Sequence, residues 1–156
     1  MIKSLLDEEN EIIEEPIVVI KKFNNNNREL TNKTVEAFLL DEYDIDINII
    51  NDNKKGLIIA LQIELNRRGA DLSINGIFDG QTKTAYAKYA GIITKGSKDK
   101  IVIIWKYILA ELGYTFKKYH MTFDKECLDK TVQYQQSLKT LANGVVGFNL
   151  LTAALK

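Results

Sequence analysis

The sequence predicts a mainly α-helical protein in which one supersecondary pattern occurs twice, behind a small strand-helix-strand N-terminal segment. The first observation is the pattern itself. Leu61-Gln62-x-x-Leu65-x-x-x-Gly69, then Ile77-Phe78-Asp79-x-x-Thr82-x-x-Ala85-x-x-x-Tyr89, returns as Trp105-Lys106-x-x-Leu109-x-x-Leu112-Gly113-Tyr114, then Thr122-Phe123-Asp124-x-x-Cys127-x-x-x-Thr131-x-x-Tyr134. Gly69 and Gly113 lie 44 positions apart, while Phe78 to Phe123 and Tyr89 to Tyr134 each span 45. A period of this size marks a duplicated supersecondary unit. The second observation is that apolar residues from Leu57 onward recur at helical spacing. The third is that Gly and Asn collect between those stretches, where helices stop.

In chain order, residues 2–14 are acidic with scattered Leu and Ile, suited to a short helix or an arm. Ile17-Val18-Val19-Ile20 is a β-branched run and predicts a strand. Thr31 is placed to cap a helix over 32–43, with Val35, Phe38 and Leu39 on one face. Asp44-Ile45-Asp46-Ile47-Asn48-Ile49 alternates with period two, the signature of a half-buried strand. The polar stretch from Asn51 to Gly56 is the expected boundary. It divides an acidic segment, 1–52, from a first copy over 56–97 and a second over 98–156. Leu57, Ile58, Leu61 and Leu65 then line a helix that stops at Gly69. Further helices are expected over Gln81–Tyr89, Lys98–Leu112, Asp124–Leu138 and Asn149–Leu155. Large side chains at helix-face spacing, Leu61, Leu65, Phe78, Tyr89, Trp105, Leu109 and Tyr134, are the expected core. Two helices alone cannot bury such a face, so two stacked copies should share one interior.

The 156 residues, 46% hydrophobic and 27% charged, fit an ordinary globular protein. Net charge is zero, yet residues 1–55 carry −6 and residues 56–156 carry +6. The repeated region therefore suits an anionic partner. Cys127 is the single cysteine and allows no intrachain disulfide. The chain turns acidic after Leu5-Leu6, too early for a signal-peptide apolar core. No uncharged apolar run reaches the roughly 18 residues that a membrane span needs. Synthesis in the cytoplasm without a signal peptide is the expectation, unless an upstream segment carried an address.

The repeated residues resemble the peptidoglycan-binding domain family, a small three-helix module attached to many cell-wall hydrolases. The family pattern runs leucine-glutamine, leucine and glycine-tyrosine, then aspartate-glycine-x-phenylalanine-glycine and threonine, then phenylalanine-glutamine and a closing aspartate-glycine-x-x-glycine. Leu61-Gln62, Leu65 and Gly69 fall at that spacing, followed by Asn75-Gly76-Ile77-Phe78, Thr82 and Tyr89. In the second copy Trp105, Leu109, Leu112, Gly113 and Tyr114 take the first-helix positions. Phe123, Tyr134-Gln135 and Asn143-Gly144-Val145-Val146-Gly147 follow. The resemblance covers roughly residues 56–156 and implies two tandem three-helix units sharing a core. Asp79 and Asp124 stand where the family has glycine, His120-Met121 replaces aspartate-glycine, and Ala90 replaces glutamine. The first copy lacks its own closing turn and borrows the Ile101–Leu112 helix.

Glycan recognition pairs an aromatic face with a few oriented polar groups. Gln62, Asn75, Tyr114, Lys118, Tyr119, Gln135 and Asn143 are the candidates for ligand binding. Lys117-Lys118-Tyr119-His120 is the most site-like stretch, positive and aromatic in a loop, suited to a peptide carboxylate or a teichoic phosphate. One His and one Cys, seven residues apart, argue against a zinc site, and no acid/base pair or phosphate loop has the spacing chemistry needs. No cofactor, metal or enzymatic activity is expected. The resemblance implies a non-catalytic module that binds peptidoglycan or an associated wall polymer. It would target a phage-type or bacterial lysis system, beside a separate or upstream lytic domain. The alternative is a helical protein-interaction or virion-assembly component reusing the fold, with residues 1–50 as a docking or homo-oligomerisation element. Only the +6 charge and Tyr-rich loops point to nucleic acid, so neither nucleic acid nor membrane is an expected partner.

Overall fold

A computed structural model describes residues 33–156. The acidic stretch 2–14, the strand expected over Ile17–Ile20 and Thr31 lie outside the described residues. Those described fall within one compact unit, Thr31–Lys156. Among them are seven helices and no strand: α1 (Val35–Tyr43), α2 (Ile47–Ile50), α3 (Asn53–Arg67), α4 (Gly80–Tyr89), α5 (Lys100–Glu111), α6 (Lys125–Ser137) and α7 (Phe148–Ala154). Two isolated antiparallel bridges, Ile93 with Val146 and Lys98 with Thr122, tie loops together. No helix among the described residues is long and apolar enough to cross a membrane.

Helix α5 is the axis of the fold. Nine consecutive residues, Ile101 to Leu109, are buried, so it is covered on every side. Helix α3 makes the most extensive packing against it, and α6 packs on it too. Helices α1, α2 and α4 lean on α3, while α7 rests on α4. Trp105 sits in this core with its indole N–H donating to the Thr131 hydroxyl at 2.9 Å. Phe38, Tyr107, Tyr119 and Phe116 form a chain of rings from α1 to the loop before α6, with centroids 4.6, 4.2 and 5.6 Å apart.

Several expectations are corrected. The Asp44–Ile49 alternation is not a strand. Asp44 holds the left-handed conformation that ends α1, and the Asp46 carboxylate caps α2 by accepting the Asn48 N–H. Two aspartates two residues apart mimic period two, but each serves a helix end. Helix α1 is capped by Thr34, whose hydroxyl accepts the Ala37 N–H, and begins later than expected. The polar stretch Asn51–Gly56 holds the end of α2 and the start of α3. Asp52 caps α3 there, and Gly56 is buried against Leu39 and Ile47. Phe78 and Tyr89 are only half-buried, whereas Phe123 is buried completely. The core aromatic of α4 is Tyr86, whose hydroxyl reaches the Val146 carbonyl at 2.8 Å.

Candidate functional site

The same pair of side-chain bonds occurs at three turns, each joining two helices, although only the first and third hold a residue at positive φ, Gly76 and Gly144. In the first, Asn75 Oδ1 accepts the N–H of Ile77 at 3.0 Å, and Gln62 of α3 donates to the Ile77 carbonyl at 3.0 Å. In the third, Asn143 Oδ1 accepts the N–H of Val145 at 3.0 Å, and Gln135 of α6 donates to the Val145 carbonyl at 3.2 Å. Between them lies a turn without asparagine. There His120 Nδ1 accepts the N–H of Thr122 at 3.2 Å, and the buried Lys106 of α5 donates to the Thr122 carbonyl at 2.8 Å. A side chain that hydrogen-bonds the backbone two residues on is a turn device in its own right. The buried donor on the preceding helix satisfies the carbonyl that the turn leaves behind.

Two residues beyond each of these turns, the chain enters its next helix through the same extended backbone. Asp79, Asp124 and Gly147 are the N-caps, with ψ between −172 and −175°. The Asp79 carboxylate accepts the Thr82 N–H and the Asp124 carboxylate accepts the Cys127 N–H, both at 3.0 Å. Both aspartates thus cap helices where the family pattern has glycine. Bonding to the Thr82 N–H holds the Asp79 carboxyl below the usual carboxylate range. Helices α3 and α5 also end alike, with Ala70 N–H on Leu65 O and Tyr114 N–H on Leu109 O. Helix α6 repeats this, Thr140 N–H on Gln135 O, but with Lys139 in the left-handed position at φ 58°.

The glutamines are framework rather than rim. Gln62 is fully buried and Gln135 nearly so. The Gln62 amide also donates to Asn75 Oδ1 and Thr82 Oγ1, and its oxygen accepts the N–H groups of Asn75 and Gly76. The Gln135 oxygen accepts the Gly144 N–H at 2.9 Å and its amide donates to Asn143 Oδ1 at 3.1 Å. Gly76 and Gly144 both sit at φ +73°, where a side chain is strained and would press on Lys55 and on Leu128, respectively. Asn75 and Asn143 are exposed at the tips.

The remaining candidates lie elsewhere. Tyr119 is buried, with Tyr107 stacked against its ring and its hydroxyl accepting the Phe116 N–H, so it offers no open aromatic face. Lys118 is exposed, and Tyr114, half-buried, packs edge-on against Tyr134. The structure therefore joins Gln62 with Asn75 and Gln135 with Asn143, and leaves Tyr114, Lys118 and Tyr119 in a separate loop. His120 Nε2 lies 3.3 Å from the Asp124 carboxylate. With Nδ1 accepting, the neutral ring donates from Nε2.

Sequence reasoning passed over a cleft beside the first turn. It is lined by Asp52, Lys54, Lys55 and Ile58 of the α3 entry, Gly76, Ile77 and Phe78 of the turn, and Thr152, Leu155 and Lys156 from the α7 end. The one available signal was Lys54-Lys55, read there as part of a polar break. Cys127 is buried, and burial pushes its thiol up to about 12, opposed in part by Lys106. That keeps it protonated at neutral pH. Burial in turn lowers the Lys106 ammonium below its ordinary value, against the pull of Asp124, Cys127 and Glu126. No group of three or more His, Cys, Asp or Glu able to hold a metal ion occurs among the described residues. No protein-family model, curated protein or solved structure matches the chain.

Proposed function

We propose that the chain is a non-catalytic cell-wall-binding module built from two tandem, degenerate units of the peptidoglycan-binding type. The second unit comprises α5, α6 and α7, and the first comprises α3 and α4, with α5 standing in for its missing third helix. The observation that carries this reading is the recurrence at His120, 45 residues after Asn75, of the same pair of side-chain bonds to the turn. Lys106 falls 44 residues after Gln62 and Thr122 falls 45 after Ile77, and each pair makes the corresponding bond. Duplication accounts for that correspondence, because chemically unlike residues do one job at matching positions. The resemblance to wall-binding modules then supplies the ligand class, and the basic balance of residues 56–156 suits an anionic wall. In this reading the module acts at the bacterial cell wall beside a lytic activity on another domain or chain. Sedimentation with purified peptidoglycan sacculi tests it. Enrichment over a control protein of similar size and charge is expected, and recovery equal to the control contradicts the proposal.

A second reading, a protein-interaction or assembly component, has one observation in its favour. Leu40 of α1 and Ile49 of α2 are large apolar side chains that are 49% and 81% exposed. If they form an interface, L40E/I49E lowers the mass seen by light scattering. An unchanged mass removes this reading.

A further inference from the structure

We infer that the cleft between the start of α3, the Asn75–Phe78 turn and the end of α7 is a subsite for an acidic group carried on a short aliphatic backbone. The inference rests on the wall-binding reading for its source of ligand, but its chemistry comes from the cleft. Three lysines, Lys54, Lys55 and Lys156, line it, with Asp52 the one acidic side chain. One Asp52 oxygen is already engaged, accepting the Lys55 N–H at 3.0 Å as the cap of α3. The Lys54 ammonium is satisfied by the main-chain carbonyl of Lys156. Lys55 is different, because its ammonium has no carboxylate partner among the described residues. Its stem lies across Gly76, so close that a Cβ there would come within 2.6 Å of Lys55 Cγ and 3.0 Å of Cε. The glycine therefore lets the Lys55 stem lie against the turn, beside the cleft that Lys55 lines. A lysine held this way loses less freedom on binding an anion than one free to sweep through solvent.

The apolar lining sets the other half of the ligand. Ile58 and Leu155 are buried, while Ile77 is 57% exposed and Phe78 half-exposed. An aliphatic carbon chain covers Ile77 and Phe78, and the Thr152 hydroxyl, whose hydrogen goes to the Phe148 carbonyl, can accept one bond from the ligand. Carboxylate-bearing peptide stems and phosphate-linked wall polymers both combine an anionic oxygen group with short aliphatic carbon. The two sources share the chemistry the cleft selects.

The test measures retention on sacculi of the full chain, Lys55→Glu, Lys55→Gln and, as a comparison, K95Q, an exposed lysine that does not line the cleft. Thermal midpoints identify any variant that fails to fold. Lys55→Glu should weaken binding about tenfold and Lys55→Gln about threefold, with K95Q unchanged, because a rim charge acts locally. Sacculi stripped of teichoic polymer by acid, or of stem peptides by an amidase, identify the source: the dependence on Lys55 disappears with whichever group it contacts. If the full chain binds and Lys55→Glu binds equally well, the cleft assignment is overturned while the wall reading stands. If the full chain does not bind sacculi, the wall reading falls. Titration with acetyl-alanine and with inorganic phosphate, followed through the Lys55, Gly76 and Ile77 amide resonances, then decides the cleft separately. Shifts there sustain it, and their absence overturns it.

Discussion

Replacing Gln62 with leucine keeps the shape of a fully buried side chain and removes every bond it makes to the first turn. The amide has two hydrogens facing three acceptors at 3.0 Å, and the oxygen takes two N–H groups at 3.0 and 3.1 Å. Four bonds at once is the chemical maximum. At about 1 kcal/mol net each, the ceiling is about 4 kcal/mol. The Asn75 groups are exposed and regain water, so about 2–3 kcal/mol is the expected loss, dominated by the buried Gly76 N–H. Gln135 makes three comparable bonds, so Gln135→Leu should cost about 2 kcal/mol. Urea unfolding measures both, with unchanged m-values as the sign that only stability moved. Hydrogen exchange at Gly76 localises the effect, since its amide should lose protection in Gln62→Leu and keep it in Gln135→Leu. A loss under about 0.5 kcal/mol, within ordinary surface variation, with Gly76 still protected, would refute the idea that this glutamine holds the turn.

Asp124→Ala and Asp79→Ala should each cost about 1 kcal/mol in urea melts, because both carboxylates cap a helix in the same way. Lys139→Gly should stabilise the chain by about 0.5–1 kcal/mol, as it relieves a left-handed lysine at φ 58° where α3 and α5 have glycine; a lower urea midpoint would contradict this. The Cys127 thiol, pushed up to about 12, keeps its proton in the folded chain after the unfolded chain has released it near 9. Stability from this group is complete below pH 9 and falls by about 1.4 kcal/mol per pH unit above it. Tyr43, Tyr86 and Tyr107, raised chiefly by burial, act in the same direction above pH 10, and Lys106, lowered by burial, acts against them. Between pH 9 and 10 wild type should therefore lose stability faster than Cys127→Ala.

Helices α3 to α7 are legible because the apolar spacing repeats over many turns and glycine marks three of their ends, at Gly69, Gly91 and Gly113. The capping aspartates were less so. Asp79 and Asp124 stand in sequence as departures from a family pattern, although each precedes by three residues the N–H it accepts. The Asp44–Ile49 segment looks like a strand in sequence because two caps spaced two apart cannot be told from a strand by period alone. Register carried Tyr89 onto Tyr134, yet α4 turns Tyr86 inward because its hydroxyl finds the Val146 carbonyl. At the site, the aligned Lys106 and Gln62 were in view as a pair, but a lysine and a glutamine share no obvious role until a carbonyl is seen under each. The buried glutamines and Tyr119 looked available because polarity and loop position were visible while burial was not. The cleft was invisible for a different reason. Its walls come from residues nearly a hundred positions apart, Lys55 and Thr152, and nothing local in either announces the other.

Titrating the isotope-labelled chain with a soluble muropeptide, and following its backbone amide resonances, asks whether the cleft beside the first turn binds wall material. Saturable shifts concentrated at Lys55, Gly76 and Ile77 are expected, with the buried α5 residues unmoved. Resonances that stay still throughout, or that shift evenly over the whole surface, would contradict it.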